Sequence, residues 1–93
     1  MAVVMMMEWE GFTLDQYDQT AKVLDRESDW PLGMMYHVAA SDGSKIRITD
    51  VWDSAEHFQQ FVEQRLMPAV KQIGAQGEPK VEIYTAHAIL TPG

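Results

Sequence analysis

The 93-residue sequence contains no cysteine and few basic residues. Without cysteine, a disulfide, a thiolate metal site and a cysteine nucleophile are all excluded. Seven lysines and arginines stand against fourteen aspartates and glutamates, which gives a net charge of -7. Because this charge repels phosphate backbones and anionic membrane surfaces, we expect neither nucleic acid nor a membrane as a partner.

Long hydrophobic runs are also lacking. The apolar run at residues 1–7 is too short for a membrane span. It has neither the basic start nor the small-residue cleavage site of a secretion signal. We therefore expect a cytoplasmic protein in which this run contributes a buried strand.

Hydrophobic residues make up 46% of the chain, enough for one small core, and we expect residues 1–93 to form one domain. A capping box predicts the first helix, since Thr13 is followed three residues later by Gln16. The predicted helix extends to about Ser28 and places Arg26 on its solvent face. Its buried stripe, at helical spacing, consists of Leu14, Tyr17, Ala21 and Leu24.

The polar turn at residues 41–44 separates two apolar, β-branched runs and predicts a hairpin. With the second and third turn residues at its centre, His37 lies opposite Ile48 and Met35 lies opposite Asp50. Because side chains alternate along a strand, each face of the hairpin carries its own set. One predicted face carries Met35, His37, Ile46, Ile48, Asp50 and Trp52, and the other Met34, Tyr36, Val38, Arg47, Thr49 and Val51.

A second helix is predicted to begin after Ser54, a residue that favours the N-cap, and to end at Gly74. Pro68 is expected to kink or divide this helix, because proline lacks the backbone N–H group and crowds the preceding turn. The last strand is predicted over residues 80–90, with largely apolar side chains on both faces.

The predicted order of elements, βαββαβ, is that of an α+β ferredoxin-like fold, with an antiparallel sheet and two helices on one face. The helix-free face of the sheet also carries many apolar side chains. An apolar face of this size favours association, so we expect a second copy of the chain to cover it in a homodimer.

A glycine-opened strand carrying His37 precedes the turn, and residues 50–54 lead into a helix with Glu56, Phe58 and Phe61. With residues 66–68 and the late Pro79, Tyr84 and His87, these features span nearly the whole chain. In them the sequence resembles the dimeric α+β barrel superfamily, which includes antibiotic biosynthesis monooxygenase-like domains. The resemblance implies a dimeric α+β barrel.

The superfamily includes cofactor-independent oxygenases acting on polycyclic aromatics, haem-degrading enzymes, isomerases and domains of no known activity. Its haem-degrading branch carries a tryptophan and then a histidine ligand in the helix after the sheet. Phe61 and Lys71 occupy the corresponding positions here. The resemblance therefore does not extend to haem degradation, and we expect no cofactor.

His37 and Asp50 are the candidate catalytic pair, because they lie diagonally on one predicted sheet face. A carboxylate beside an imidazole orients the ring and fixes which nitrogen carries the proton, as a general base requires. Trp52 on the same face would form a flat wall for an aromatic ligand. The other expected lining residues are Met35, Ile48, Phe58 and Phe61. A purely structural alternative has these polar groups satisfying one another within an ordinary core.

Three separated histidines, without cysteine or a short-spaced carboxylate cluster, do not indicate a metal site, and we expect no metal. His57 is expected to face solvent, and His87 to lie on the last strand, far from His37.

The sequence is compatible with two functions. By analogy with the resembled oxygenases, His37 with Asp50 would deprotonate a phenolic substrate held against Trp52, and the resulting carbanion would react with oxygen. Alternatively, the chain is a non-catalytic ligand-binding or structural homodimer.

Overall fold

The computed structural model describes residues 1–92 and contains a four-stranded antiparallel sheet with the helices packed on one face. In chain order the elements are β1 (Val3–Glu10), α1 (Leu14–Leu24), β2 (Met34–Ser41), β3 (Lys45–Trp52), α2 (Ala55–Phe61), a π-helical turn (Val62–Leu66), α3 (Met67–Ile73) and β4 (Lys80–Thr85). The strands lie in the order β2-β3-β1-β4. This is the ferredoxin-like α+β fold that the sequence predicts.

The hydrophobic core lies between the sheet and the helices. Alternate residues of β1 and β3 point into it, which is the pattern of a sheet with one covered face. Trp52 is fully buried and packs against Phe58 and Phe61 of α2, with ring centroids 5.7 and 5.3 Å away. These contacts fix α2 directly over β3.

The capping box at the start of α1 is confirmed. The Gln16 amide donates to the Thr13 hydroxyl at 3.1 Å, and the Thr13 amide donates to the Gln16 side chain at 3.0 Å. The helix ends at Leu24, four residues before the predicted end, because Asp25 adopts a left-handed conformation with φ of 50°. The exposed Leu14 also departs from the predicted stripe, and Thr20 is buried instead.

The predicted hairpin register is wrong. His37 lies opposite Asp50, and Ala39 lies opposite Ile48. The Asp42 carboxylate accepts hydrogen bonds from the Ser44 amide at 2.9 Å and the Lys45 amide at 3.1 Å, which closes a longer turn than predicted. These bonds, with one from the Ser44 hydroxyl, lower the pKa of Asp42 to about 2.

A β-bulge between Met34 and Tyr36 produces the second difference in the hairpin. The register shift of two residues keeps His37 on the helix-covered face, but the bulge reverses the side chains before it. Met34 is 5% exposed and joins the core, whereas Met35 is 44% exposed. The prediction that Met35 shares a face with His37 is therefore wrong.

The second helical region is divided next to Pro68, as predicted. The π-helical turn separates α2 from α3, and the Met67 amide donates to the Val62 carbonyl across it. Pro68 then lies in the first turn of α3, the part of a helix in which proline is best tolerated. Gly74 ends α3 with a positive φ of 74°.

The last strand, β4, ends at Thr85 rather than at the predicted residue 90. Thr85 pairs with Val3, the first residue of β1. Strand β1 therefore has no further residue with which β4 could pair. One more hydrogen bond joins the Ala86 amide to the Ala2 carbonyl. Within residues 1–92, no helix is both long and apolar enough to cross a membrane.

The other side of the sheet is not covered by a helix. The side chains there are those that alternate with the core residues, and they are partly or largely exposed. We call this surface the open face. Its apolar residues are Val4, Met6, Tyr36, Val38, Ala40, Val51 and Tyr84.

Candidate functional site

A cavity of about 40 Å³ lies between the helices and the sheet. Its lining is almost entirely apolar, with four polar side chains among fifteen residues. The polar residues are Tyr17, Arg26, His37 and Asp50. The apolar residues are Met5, Met7, Trp9, Phe12, Ala21, Leu24, Met34, Ile48, Phe58, Phe61 and Leu66. The four polar groups therefore determine any chemistry in this cavity.

His37 and Asp50 form a direct pair across β2 and β3. The His37 Nδ1 and Asp50 Oδ1 atoms are 2.6 Å apart, and the Asp50 side chain is only 4% exposed. An ionised carboxylate only accepts hydrogen bonds, so Nδ1 carries a proton, and Nε2 is the ring nitrogen available to other groups. The Trp52 indole N–H donates to Asp50 Oδ2 at 3.2 Å. Both carboxylate oxygens of Asp50 are therefore hydrogen-bonded.

Two side chains from the first helical region meet the other nitrogen of His37. The Tyr17 hydroxyl lies 2.6 Å and Arg26 Nη1 lies 2.8 Å from His37 Nε2. Arg26 Nη2 also donates to the Tyr17 hydroxyl at 2.9 Å, and its guanidinium lies over the Tyr17 ring, 5.5 Å from the centroid. Because arginine only donates, the neutral His37 ring accepts through Nε2.

The sequence pattern identifies neither the role of Arg26 nor the partner of Tyr17. Tyr17 belongs to the predicted buried stripe, but nothing in the spacing identifies His37 as its partner. A helix that continued to Ser28, as the sequence predicts, would place Arg26 on its solvent face. The left-handed residue Asp25 ends the helix, and Arg26 extends to the cavity instead.

The structure brings together most of the predicted site residues. Ile48, Phe58 and Phe61 line the cavity with the His37–Asp50 pair. Trp52 is not part of the lining. It is completely buried behind Asp50, where it holds the carboxylate rather than forming a wall. Met34 lines the cavity in place of the outward-facing Met35.

The remaining histidines lie outside the cavity. His57 pairs with Asp53 at 2.6 Å on the surface, and this hydrogen bond lowers the pKa of Asp53. His87 is exposed and follows β4, at the opposite edge of the sheet from β2. In the part of the chain that the structure describes, no group of three or more His, Cys, Asp or Glu residues is arranged to hold a metal ion.

No protein-family model and no curated protein matches the chain. Several solved structures do match the chain. A Nitrosomonas europaea protein of unknown function, NE2512, aligns with a TM-score of 0.74 at 17% identity, covering 99% of this chain and 95% of its own. SnoaB, a cofactor-independent oxygenase from Streptomyces nogalater, aligns with a TM-score of 0.69 at 15% identity, covering 98% of both chains. A Deinococcus radiodurans protein assigned to the antibiotic biosynthesis monooxygenases aligns with a TM-score of 0.63 at 14% identity, covering all of both chains.

At these identities, the similarity establishes the fold. The chain has the α+β fold of the antibiotic biosynthesis monooxygenase-like proteins over its whole length. Because one fold supports many functions, the activity, substrate and assembly must be inferred from the side chains of this chain.

Proposed function

We propose that this chain, which has the fold of the antibiotic biosynthesis monooxygenase-like proteins, is a cofactor-independent oxygenase of small phenolic aromatic molecules. The observation that carries the proposal is the His37–Asp50 pair, whose Nε2 atom lies in the lining of an apolar cavity beside Tyr17 and Arg26. SnoaB, a protein of the same fold, is a cofactor-independent oxygenase. That likeness adds support by analogy.

In the proposed reaction, His37 Nε2 accepts the phenolic proton and the resulting imidazolium is paired with Asp50. Trp52 keeps Asp50 in place by donating to its second oxygen. The phenolate transfers electron density to a ring carbon that bears two hydrogens in the keto form. That carbon reacts with dioxygen, one oxygen atom remains on it as a carbonyl, and the other leaves as water. The substrate supplies all the electrons, so the proposed reaction requires neither metal nor flavin.

The test compares two histidine variants. Purified protein is screened for oxygen consumption with polycyclic phenols. For any substrate found, His37→Gln is expected to lower kcat/KM by about 100-fold or more, the usual contribution of a general base. His57→Gln removes a histidine with a similar aspartate partner outside the cavity, and should leave turnover unchanged. Equal turnover by His37→Gln and the wild type would refute the assignment of His37 as the base.

A second candidate function is a non-catalytic ligand-binding or structural homodimer. The observation that favours it is the cavity volume of about 40 Å³, since ligand pockets usually have about 300 Å³ or more. Tyr17 and Arg26 also satisfy His37 without any ligand. A thermal-shift screen with polycyclic phenols and quinones separates the two candidates. If no compound stabilises the protein, the structural role is favoured.

We also propose that a second copy of the chain covers the open face, and that the protein acts in the cytoplasm. The first part rests on the exposed apolar side chains of that face, among them Val38 at 60% and Tyr84 at 53% exposure. The second part remains the expectation stated above.

A further inference from the structure

Arg26 is the one cationic side chain in the lining of the cavity. The chain as a whole carries a net charge of -7. Within residues 1–92, no carboxylate lies within 4.0 Å of the Arg26 guanidinium. Its polar partners are the Tyr17 hydroxyl and His37 Nε2, and both are neutral. A positive charge is therefore present at the cavity without a directly bound counter-ion.

The position next to His37 Nε2 is also the position that a substrate hydroxyl must reach. A general base needs the proton it removes within hydrogen-bond distance. The Tyr17 hydroxyl at 2.6 Å and Arg26 Nη1 at 2.8 Å occupy that position in this structure. A ligand that uses His37 must therefore displace at least one of them and supply a replacement acceptor.

A neutral ligand without a strong acceptor would leave the displaced guanidinium unpaired at a mostly apolar surface. An oxyanion would instead accept from both displaced groups, since the Arg26 N–H and the Tyr17 O–H are both donors. Charge-assisted hydrogen bonds of this kind are roughly twice as strong as neutral ones. The arrangement therefore discriminates between ligands by the charge on one oxygen.

We propose that Arg26 and Tyr17 form an oxyanion-binding pair, and that the ligand of this cavity is an apolar ring that carries one ionised oxygen. Arg26 and Tyr17 exchange His37 Nε2 for the ligand oxygen when the ligand binds. The inference rests on the same cavity as the proposed function, but not on turnover, because it concerns binding alone. In the proposed reaction, the same pair would hold the phenolate after His37 has taken its proton.

The experiment measures binding of two probes that differ in charge. Para-nitrophenol is ionised in mildly alkaline buffer, and para-nitroanisole is its neutral methyl ether. By isothermal titration, the wild type is expected to bind the phenolate roughly ten-fold more tightly than the ether, as hydrogen bonds to a charged group imply. Bound phenolate should also show a shifted absorption band.

Four variants identify the source of this preference. Arg26→Gln should bind both probes equally, while Arg26→Lys should retain part of the preference because it keeps the charge. Tyr17→Phe should lower phenolate binding only. Lys22→Gln removes an exposed cation of α1 and should behave as the wild type. Thermal melts of each variant establish that it is folded, and Arg26→Lys carries the test if Arg26→Gln does not fold.

Three results would overturn the proposal: equal binding of both probes by the wild type, a full phenolate preference in Arg26→Gln, or no binding of either probe. The His37→Gln variant separates this inference from the proposed function. If the enzyme proposal fails and the inference holds, no substrate is turned over, yet His37→Gln and the wild type both prefer the phenolate. If the inference fails alone, turnover depends on His37 while Arg26→Gln leaves phenolate affinity unchanged.

Discussion

At the scale of single residues, Gly33 is the most sterically restricted glycine of the described chain. It has a φ of +89°, and a Cβ atom added there would lie 2.5 Å from Asp53 Oδ1 and 2.6 Å from His57 Nδ1. The Asp53 amide donates to the Gly33 carbonyl at 2.8 Å. Gly33 thus lets the start of β2 pass directly beside the Asp53–His57 pair.

We expect Gly33→Ala to lower the free energy of unfolding more than Gly43→Ala. Both glycines have positive φ, but nothing lies within 4 Å of a Cβ at Gly43. The difference between the variants therefore isolates the steric clash, which we expect to cost about 1–3 kcal/mol. Urea denaturation of both variants measures it. Equal stability would show that Asp53 and His57 move aside without cost.

At the scale of elements, the position at which α1 ends determines whether the Arg26 side chain can enter the cavity. Asp25 is the one non-glycine residue with positive φ in residues 1–92. It ends the helix, and Arg65 from the π-helical turn then donates to the Leu24 carbonyl at 2.7 Å and to the Asp29 carbonyl at 2.9 Å. A long-range arginine thus caps the helix, and the shortened helix lets Arg26 turn to His37.

Asp25→Gly should stabilise the protein by about 0.5–1 kcal/mol, because glycine adopts the left-handed conformation without steric cost. Removing a negative charge from the helix C-terminus acts in the same direction. Asp18→Gly, at an exposed position inside the same helix, should instead destabilise by about 0.3 kcal/mol, because glycine has a lower helix propensity than aspartate. Thermal unfolding of the two variants should show shifts of opposite sign. A loss of stability in Asp25→Gly would contradict this account of the helix end.

At the scale of the whole molecule, the chain exposes more surface than a compact monomer of its mass. Its accessible surface is 6374 Å² for 10.6 kDa. A typical monomer of this size exposes about 5,500 Å², and a standard interface buries about 800 Å² per partner. The excess, roughly 900 Å², is the size of one such interface. An excess of this size is large enough for association with a second copy, and the apolar open face is where we propose that this copy binds.

We expect the wild type to sediment as a dimer at micromolar concentration, and Val38→Lys to sediment as a monomer. Val38 lies on the open face opposite Thr49, and a lysine there would place a charge within the proposed interface. Leu14→Lys is the matched control, because Leu14 is similarly exposed at 59% but lies on α1. A folded wild-type monomer at this concentration would refute the dimer proposal.

Local signals of the sequence determined where most elements begin or are interrupted. Thr13 with Gln16, Ser54, Pro68 and Gly74 each act through backbone groups within a few residues, so their effects could be predicted. The alternation of apolar residues likewise predicted that His37 and Asp50 share the helix-covered face. A register shift of two residues does not change that result.

Only the tertiary structure decided which groups meet at the cavity. The direct pairing of His37 with Asp50 depends on the turn closed by Asp42, and the exchange of Met35 for Met34 depends on a bulge. Tyr17 is 20 residues and Arg26 is 11 residues from His37 in the sequence, yet both contact it. Such contacts are selected by packing between elements, whose geometry no local sequence pattern specifies.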